Sequence, residues 1–170
     1  MTGRTQIDAM HADAVDSWRR EHTRDIRRRL VDHVRNRTTD LVPDGTLISA
    51  ARTAREHAHA PYSNFRVGAA VRAKSGRIFT GCNVENATYG LTLCAERVAI
   101  FKAISEGERG FDAVAVVADT DTLTPPCGSC RQILWEFCGD AEVVLANLKG
   151  QVERHRMSAL LPKPFDGSFL

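Results

Sequence analysis

The chain has 170 residues, of which 43% are hydrophobic and 26% charged, and its formal net charge is +2. This length and composition predict one globular domain with a short appendage, and they exclude a disordered or fibrous chain. No apolar run approaches the roughly 18 residues that a membrane-spanning helix needs. The first residues lack the apolar core of a secretory signal, and their acidic residues disfavour a mitochondrial transit peptide.

The charged residues and the cysteines narrow the function classes. Residues 1–42 contain nine Arg against seven acidic residues, whereas the rest of the chain has 14 basic and 14 acidic residues. The balanced charge of residues 43–170 argues against a domain that binds nucleic acid. The five cysteines are an odd number without a secretion signal, which favours the cytoplasm and thiols that bind a metal or react.

The hydrophobic pattern divides the chain into an extension and a main domain. Residues 7–36 carry apolar side chains at helical spacing between arginines, which predicts an amphipathic helical extension over residues 1–42. A break at Thr38–Asp40 and Pro43–Gly45 then predicts a domain over residues 43–170.

The main domain has alternating helix and strand signals. In chain order we expect a helix over Leu47–His57, strands over Val67–Lys74 and Arg77–Asn83, a helix over Leu93–Glu106, a strand over Ala113–Ala118, a helix over Gly128–Cys138, and strands over Glu142–Ala146 and Gln151–Arg156. This order predicts an α/β layer structure around one mixed sheet.

Three cysteines stand at predicted helix starts. Cys94 opens one helix, and Cys127 and Cys130 are three residues apart, so both sulfurs can face one point on the first turn of the next helix. Helix N-termini lower the pKa of nearby thiols. Three protein ligands are the number for a catalytic zinc, whose fourth tetrahedral position is left to water. A structural zinc with Cys82 or Cys138 as a fourth ligand stays open at this point.

The residues that follow Cys94 fit acid–base chemistry at such a metal. Glu96 is too close to Cys94 in sequence to be a comfortable second ligand, but it is well placed to move a proton at the water position. Three thiolates and one Zn²⁺ leave a formal charge of −1, and Arg97 is the candidate cation to offset it. A Cys₃ zinc, a separate Glu and a Pro-Cys-x-x-Cys element are the known combination of zinc nucleobase deaminases.

These motifs together resemble the cytidine deaminase family, specifically its small, three-cysteine, homotetrameric type. The resemblance covers about Thr46 to Phe165 and rests on blocks in a fixed order, namely Ala60–Ser63 with Phe65–Ala70, Gly81–Asn86, Cys94–Arg97, Pro126–Gln132, and Leu160–Pro162 with Phe165. It implies a three-layer α/β/α fold with a central five-stranded mixed sheet. It also implies hydrolytic deamination of cytidine and 2′-deoxycytidine to uridine and 2′-deoxyuridine, with release of ammonia. Residues 1–42 have no counterpart in the compact members of the family.

The resemblance assigns a role to each matching residue. Cys94, Cys127 and Cys130 match the ligands of one Zn²⁺ per subunit, Glu96 matches the proton shuttle, and Arg97 matches an arginine that donates hydrogen bonds to the thiolates. Substrate contacts are matched by Phe65 for the pyrimidine ring, Asn83 and Glu85 for the ribose 3′-hydroxyl, the backbone of Ala95 for the base, and Phe165 for an aromatic that reaches into a neighbouring subunit's site.

Two other functions stay open at this stage. The same chemistry could act on a modified cytosine nucleoside such as a nucleoside antibiotic, although the presence of Asn83 and Glu85 does not favour this alternative. A nucleic-acid-editing deaminase could use the N-terminal arginines as a docking arm. Such an enzyme needs a long basic channel, and the balanced charge of the main domain argues against one.

Overall fold

A computed structural model describes residues 44–170, so the predicted helical extension over residues 1–42 lies outside the described part of the chain. The elements are, in chain order, α1 (Asp44–Arg55), β1 (Val67–Ala73), β2 (Ile78–Cys82), α2 (Ala95–Ser105), β3 (Phe111–Ala118), α3 (Gly128–Cys138), β4 (Glu142–Asn147), β5 (Val152–Arg156) and α4 (Met157–Leu160). Every element predicted within this range is present. The sequence did not predict α4, nor the single 3₁₀ turns at Tyr89–Leu91 and Gly167–Phe169.

The five strands form one mixed sheet, as predicted, and the structure shows that their order is β2-β1-β3-β4-β5. β1 pairs antiparallel with both β2 and β3, and β5 pairs antiparallel with β4. β3 and β4 are parallel, and α3 makes the crossover between them, as a parallel pair requires. β3 lies at the centre of the sheet, and its apolar run Ala113–Ala118 is buried, as expected for a strand covered on both faces.

Helices cover both faces of the sheet, which confirms the predicted three layers. On one face, Leu47 and Ala51 of α1 pack against small side chains of the central strands, namely Ala70, Ala113, Ala115, Val117, Val144 and Ala146. On the other face, Ile100 of α2 and Leu134 of α3 join the larger core, which includes Val71, Val114, Val116 and Val143. The small residues on the first face let α1 approach the sheet closely.

Two glycines allow the helices to contact the strands backbone to backbone. A Cβ at Gly68 would lie 2.0 Å from the carbonyl oxygen of Ala51 in α1. A Cβ at Gly81 would lie 2.5 Å from the nitrogen of Ala99 and 2.6 Å from the carbonyl oxygen of Ala95, both in α2. Real Cβ atoms do not approach backbone this closely, so only glycine fits. Gly81 therefore sets the depth at which the first turn of α2 lies on the sheet.

The last strand, β5, forms one edge of the sheet and is largely exposed. After Val152 the strand consists of Glu153, Arg154, His155 and Arg156. Arg154 forms an ion pair with Glu142 of β4, and Arg156 forms one with Asp140, which precedes β4. Within residues 44–170, none of the helices combines the length and the apolar character that a membrane crossing requires.

Gly81→Ala should lower the free energy of unfolding by about 3 kcal/mol, because the new methyl group meets backbone that cannot move aside. Gly45→Ala is the matched control, since a Cβ at this helical position meets nothing within 4 Å. It should leave stability unchanged or raise it by up to about 1 kcal/mol. Denaturant unfolding measures both. Equal midpoints for the two variants would contradict the close approach of α2.

Candidate active site

Two helix N-termini bring the three predicted ligands together. Cys94 caps α2, Cys127 caps α3, and Cys130 lies in the first turn of α3. Both capping cysteines have extended backbone, and neither helix start receives a side-chain cap from them. The first N–H groups of both helices thus lie close to the sulfurs, which favours the ionised thiolate.

The distances between the sulfurs suit a zinc ion. The three Sγ atoms lie within 4.8 Å of one another, and the Sγ atoms of Cys94 and Cys127 are 3.8 Å apart. A tetrahedral site with Zn–S bonds of about 2.3 Å places its sulfurs about 3.8 Å apart. Among residues 44–170, this is the only group of three or more His, Cys, Asp or Glu side chains that converges in this way.

The other two cysteines do not join this group, so the alternative of a four-cysteine structural zinc finds no geometric support. Cys82 donates a hydrogen bond from Sγ to the carbonyl oxygen of His57, at 3.3 Å. Cys138 lies at the far end of α3, where burial raises the pKa of its thiol well above the usual range. Cys138 is a neutral core residue at any ordinary pH.

The sulfurs influence one another strongly. The hydrogen bond from Cys130, assisted by the Arg97 guanidinium, lowers the pKa of Cys94 to about 5. The hydrogen bond with Cys94, together with burial, raises the pKa of Cys130 far above its ordinary value. Without a metal, Cys94 therefore carries negative charge and Cys130 keeps its proton. A metal that binds all three sulfurs must displace that proton.

Arg97 supplies positive charge beside the sulfurs. Its Nη2 atom donates to the carbonyl oxygen of Thr92 at 2.8 Å and to Sγ of Cys94 at 3.6 Å. The hydrogen bond to Cys94 raises the pKa of Arg97 further. The guanidinium is held in place by a backbone carbonyl, so its charge stays next to the thiolate.

Glu96 is a carboxyl group held in a buried position beside the sulfurs. Its residue is 5% exposed, and it lies in the first turn of α2, two residues after Cys94. Burial raises the pKa of Glu96 to about 7, and the negative charge on Cys94 acts in the same direction. A carboxyl group with this pKa accepts and releases a proton near neutral pH, which is the property of a general acid–base catalyst.

Asn83 and Glu85 organise the loop that carries Phe65. The Asn83 side chain accepts from the nitrogen of Val67 at 2.8 Å and donates to the carbonyl oxygen of Phe65 at 2.8 Å. Oε2 of Glu85 accepts from the backbone nitrogens of Tyr62 and Ser63 at 2.8 and 3.2 Å. These contacts fix the backbone on both sides of the exposed Phe65, a role that the sequence did not reveal.

Ser63 is the functional candidate that sequence reasoning missed. Its hydroxyl donates to Oε1 of Glu85 and accepts from the nitrogen of Phe65 at 3.0 Å. The hydrogen bond from Ser63 lowers the pKa of Glu85, so this carboxylate stays ionised. A Ser whose hydroxyl accepts from the backbone N–H two residues later is a local signal for a turn. The second partner of Ser63, Glu85, is 22 residues away and gives no local signal.

A cavity of about 330 Å³ opens beside these residues and is lined by Tyr62, Ser63, Glu85, Tyr89 and Thr92. Of the predicted substrate contacts only Glu85 lines this cavity, and Phe65, Asn83, Ala95 and Phe165 are not among its lining residues. Ala95 is buried as the first residue of α2. Phe165 lies near the C-terminus with 59% of its surface exposed, and it stacks on Phe169 with ring centroids 5.5 Å apart.

A three-layer α/β/α domain with converging sulfurs and a buried carboxyl group suits metal-assisted hydrolysis. The family profile for the cytidine and deoxycytidylate deaminase zinc-binding region matches residues 42–147. The cytidine deaminase of Sporosarcina psychrophila is 53% identical over 120 residues, which make up 70% of this chain and 88% of that protein.

Solved structures of cytidine deaminases are similar to this domain. The crystal structure of cytidine deaminase from Burkholderia pseudomallei matches with a TM-score of 0.70 and 51% identity, over 71% of this chain and 98% of that one. Cytidine deaminase from Mycobacterium tuberculosis matches with a TM-score of 0.65 and 39% identity, over 74% and 98%. The chain belongs to the cytidine and deoxycytidylate deaminase family, and zinc is its cofactor.

Replacing Cys94, Cys127 or Cys130 by Ala should reduce bound zinc well below one ion per chain, because two sulfurs do not hold a catalytic zinc tightly. Cys82→Ala is the control, because its sulfur contacts a backbone carbonyl outside the cluster and zinc should stay stoichiometric. Elemental analysis of purified protein measures the metal content. Loss of zinc in the Cys82 variant would show that this sulfur is a ligand.

Proposed function

We propose that this protein hydrolyses the amino group from cytidine and 2′-deoxycytidine, giving uridine and 2′-deoxyuridine with release of ammonia. The observation that carries the proposal is the convergence of the Cys94, Cys127 and Cys130 sulfurs beside the buried carboxyl group of Glu96. In the proposed site, the three cysteines hold one zinc ion. When bound, zinc lowers the pKa of water and so provides a nucleophile at neutral pH.

Glu96 is the proposed proton carrier. Its carboxylate accepts a proton from the attacking water and delivers it to N3 of the cytosine ring, while oxygen forms a bond to C4. The new hydroxyl group on C4 then gives up its proton, which passes through Glu96 to the amino group, so that the C4–N bond breaks, a carbonyl forms at C4 and ammonia leaves. A pKa of about 7 suits this double role, because the group is then close to half-protonated at neutral pH. Arg97 offsets the net negative charge of the three thiolates.

The proposed substrate contacts orient C4. The Phe65 ring packs against the pyrimidine, and the backbone of Ala95 at the start of α2 contacts the base. Glu85 accepts three hydrogen bonds from its own chain, and an ionised carboxylate has about four acceptor positions. The remaining position can take a ribose hydroxyl. The Asn83 amide has two N–H groups, so it can donate to a ribose oxygen beside its bond to Phe65.

The proposed working form is a homotetramer in the cytoplasm. An exposed ring at Phe165 and exposed apolar side chains at Tyr62, Tyr89 and Leu91 provide surface for subunit contacts. In this assembly, Phe165 closes the site of a neighbouring subunit. None of the five cysteines, all of which lie within residues 44–170, forms a disulfide bond, which agrees with a reducing compartment.

Glu96→Gln should lower kcat for cytidine by about 10²–10⁴-fold, because the amide keeps the shape of the side chain but carries no transferable proton. Zinc content should stay at the wild-type level. The exposed Glu136→Gln on α3 is the control and should keep full turnover. Ultraviolet absorbance follows the conversion, with a cytosine-containing oligonucleotide assayed in parallel. Wild-type turnover of the oligonucleotide alone would overturn the nucleoside assignment in favour of editing.

Mixing two defective proteins tests whether Phe165 acts between subunits. Phe165→Ala should raise KM, and Glu96→Gln should lower kcat by about 10²–10⁴-fold. After subunit exchange, sites that combine Glu96 from one chain with Phe165 from another should recover turnover at low cytidine concentration. Activity equal to the sum of the separate variants would show that Phe165 does not serve a neighbour's site.

A further inference from the structure

The helix that carries the buried cysteine also holds the C-terminal tail, residues 161–169. Nε2 of Gln132 donates to the carbonyl oxygen of Phe165 at 2.6 Å, and Nε1 of Trp135 donates to Oδ2 of Asp166 at 3.2 Å. Both donors are side chains of α3. The tail is therefore attached to α3 on both sides of the Phe165–Asp166 peptide bond.

Asp166 connects Trp135 to the turn that carries the aromatic rings of the tail. While Oδ2 accepts from the Trp135 indole, Oδ1 accepts from the nitrogen of Ser168 at 2.9 Å, and the carbonyl oxygen of Asp166 accepts from the nitrogen of Phe169 at 3.1 Å. These bonds fold the final turn and place Phe169 against Phe165, with the ring planes 11° apart. One carboxylate thus connects a helix side chain to a stacked pair of rings.

The same helix also fixes the distance from the tail to the sulfur cluster. Cys130 and Trp135 are five residues apart on α3, which is about 7.5 Å along a helix axis. Arg131 connects the segment before Cys127 to the residue before the tail. Its Nε donates to the carbonyl oxygen of Pro126 at 2.7 Å, and its Nη1 donates to the carbonyl oxygen of Leu160 at 2.9 Å. The tail cannot shift relative to the cysteines without breaking these bonds.

We propose that Trp135 and Asp166 are positioning residues for the nucleoside reaction, acting through the hydrogen bond between them to hold the Phe165 ring in its docking orientation. The inference rests on the proposed function, in which this ring closes a neighbour's site. Phe165 and Phe169 are 59% and 69% exposed, so beyond the bonds from Gln132 and Trp135 the protein surface restrains their rings little. Preordering an exposed ring lowers the entropy cost of docking, which affects substrate binding rather than proton transfer at Glu96.

Trp135→Phe removes the N–H donor and keeps an aromatic ring in the core. It should raise KM for cytidine by about threefold to tenfold, because only part of the energy of a charge-assisted hydrogen bond contributes to substrate binding. The value of kcat should stay within about twofold of wild type. Asp166→Ala removes the same bond from the exposed side and should give the same split without disturbing the core. Lys163→Gln, an exposed change in the same tail, is the control and should leave KM unchanged.

A double-variant cycle shows whether the effect passes through Phe165. In a Phe165→Ala background, Trp135→Phe should raise KM no further, because the ring that it positions is gone. Full additivity of the two effects would overturn the inference. So would a fall in kcat at unchanged KM, which would indicate a general structural defect of α3.

Hydrogen exchange gives a readout that does not need turnover. The amides of Ser168 and Phe169 should exchange faster in the Trp135→Phe and Asp166→Ala proteins than in wild type, and unchanged exchange would overturn the inference. The wild-type assay separates two failures. Wild-type protein that leaves cytidine unconverted overturns the proposed function and this inference with it. Wild-type turnover with unchanged KM in both variants overturns the inference alone.

Discussion

Three sulfur atoms within 4.8 Å of one another impose the constraint on which the rest of this site depends. Two unit charges 4 Å apart repel by about 4 kcal/mol at an effective dielectric constant of about 20, so three neighbouring thiolates need compensation. The protein provides it with two helix N-termini, with the Arg97 guanidinium, and with a proton that stays on Cys130 until a cation replaces it. The charge on Cys94 also helps to keep Glu96 protonated to a higher pH.

This electrostatic arrangement requires close packing. The first turn of α2 carries Cys94 and Glu96, and it lies on Gly81, where no side chain could fit. This backbone contact between helix and strand fixes the position of the turn that carries the buried Glu96. The loop at Phe65 is fixed differently: Asn83 donates a hydrogen bond to the carbonyl oxygen of Phe65, and Glu85 accepts one from the nitrogen of Tyr62. A packed helix thus holds the Glu96 carboxyl group beside the sulfurs, and a polar network holds the loop that carries Phe65.

Local sequence patterns were sufficient for most of the fold. α3 begins and ends at the predicted residues because Cys127 and Gly139 flank it, and Gly139 has the positive φ of 62° that favours glycine. The four residues of α4 are too few to show a helical period, so it was missed. The cysteine spacing predicted the cluster, which the structure brings together. The partners of Glu85 could not be predicted, because Ser63 and Tyr62 are distant in sequence and meet it only after folding.

The charged character of β5 has a consequence for how copies of this domain associate. An edge strand has unpaired backbone groups that could extend the sheet into another molecule, and charged side chains oppose this. A neighbouring chain that paired with β5 would have to strip water from Glu153, Arg154 and Arg156 at once. Growth into open-ended, ribbon-like polymers through this edge is thereby discouraged.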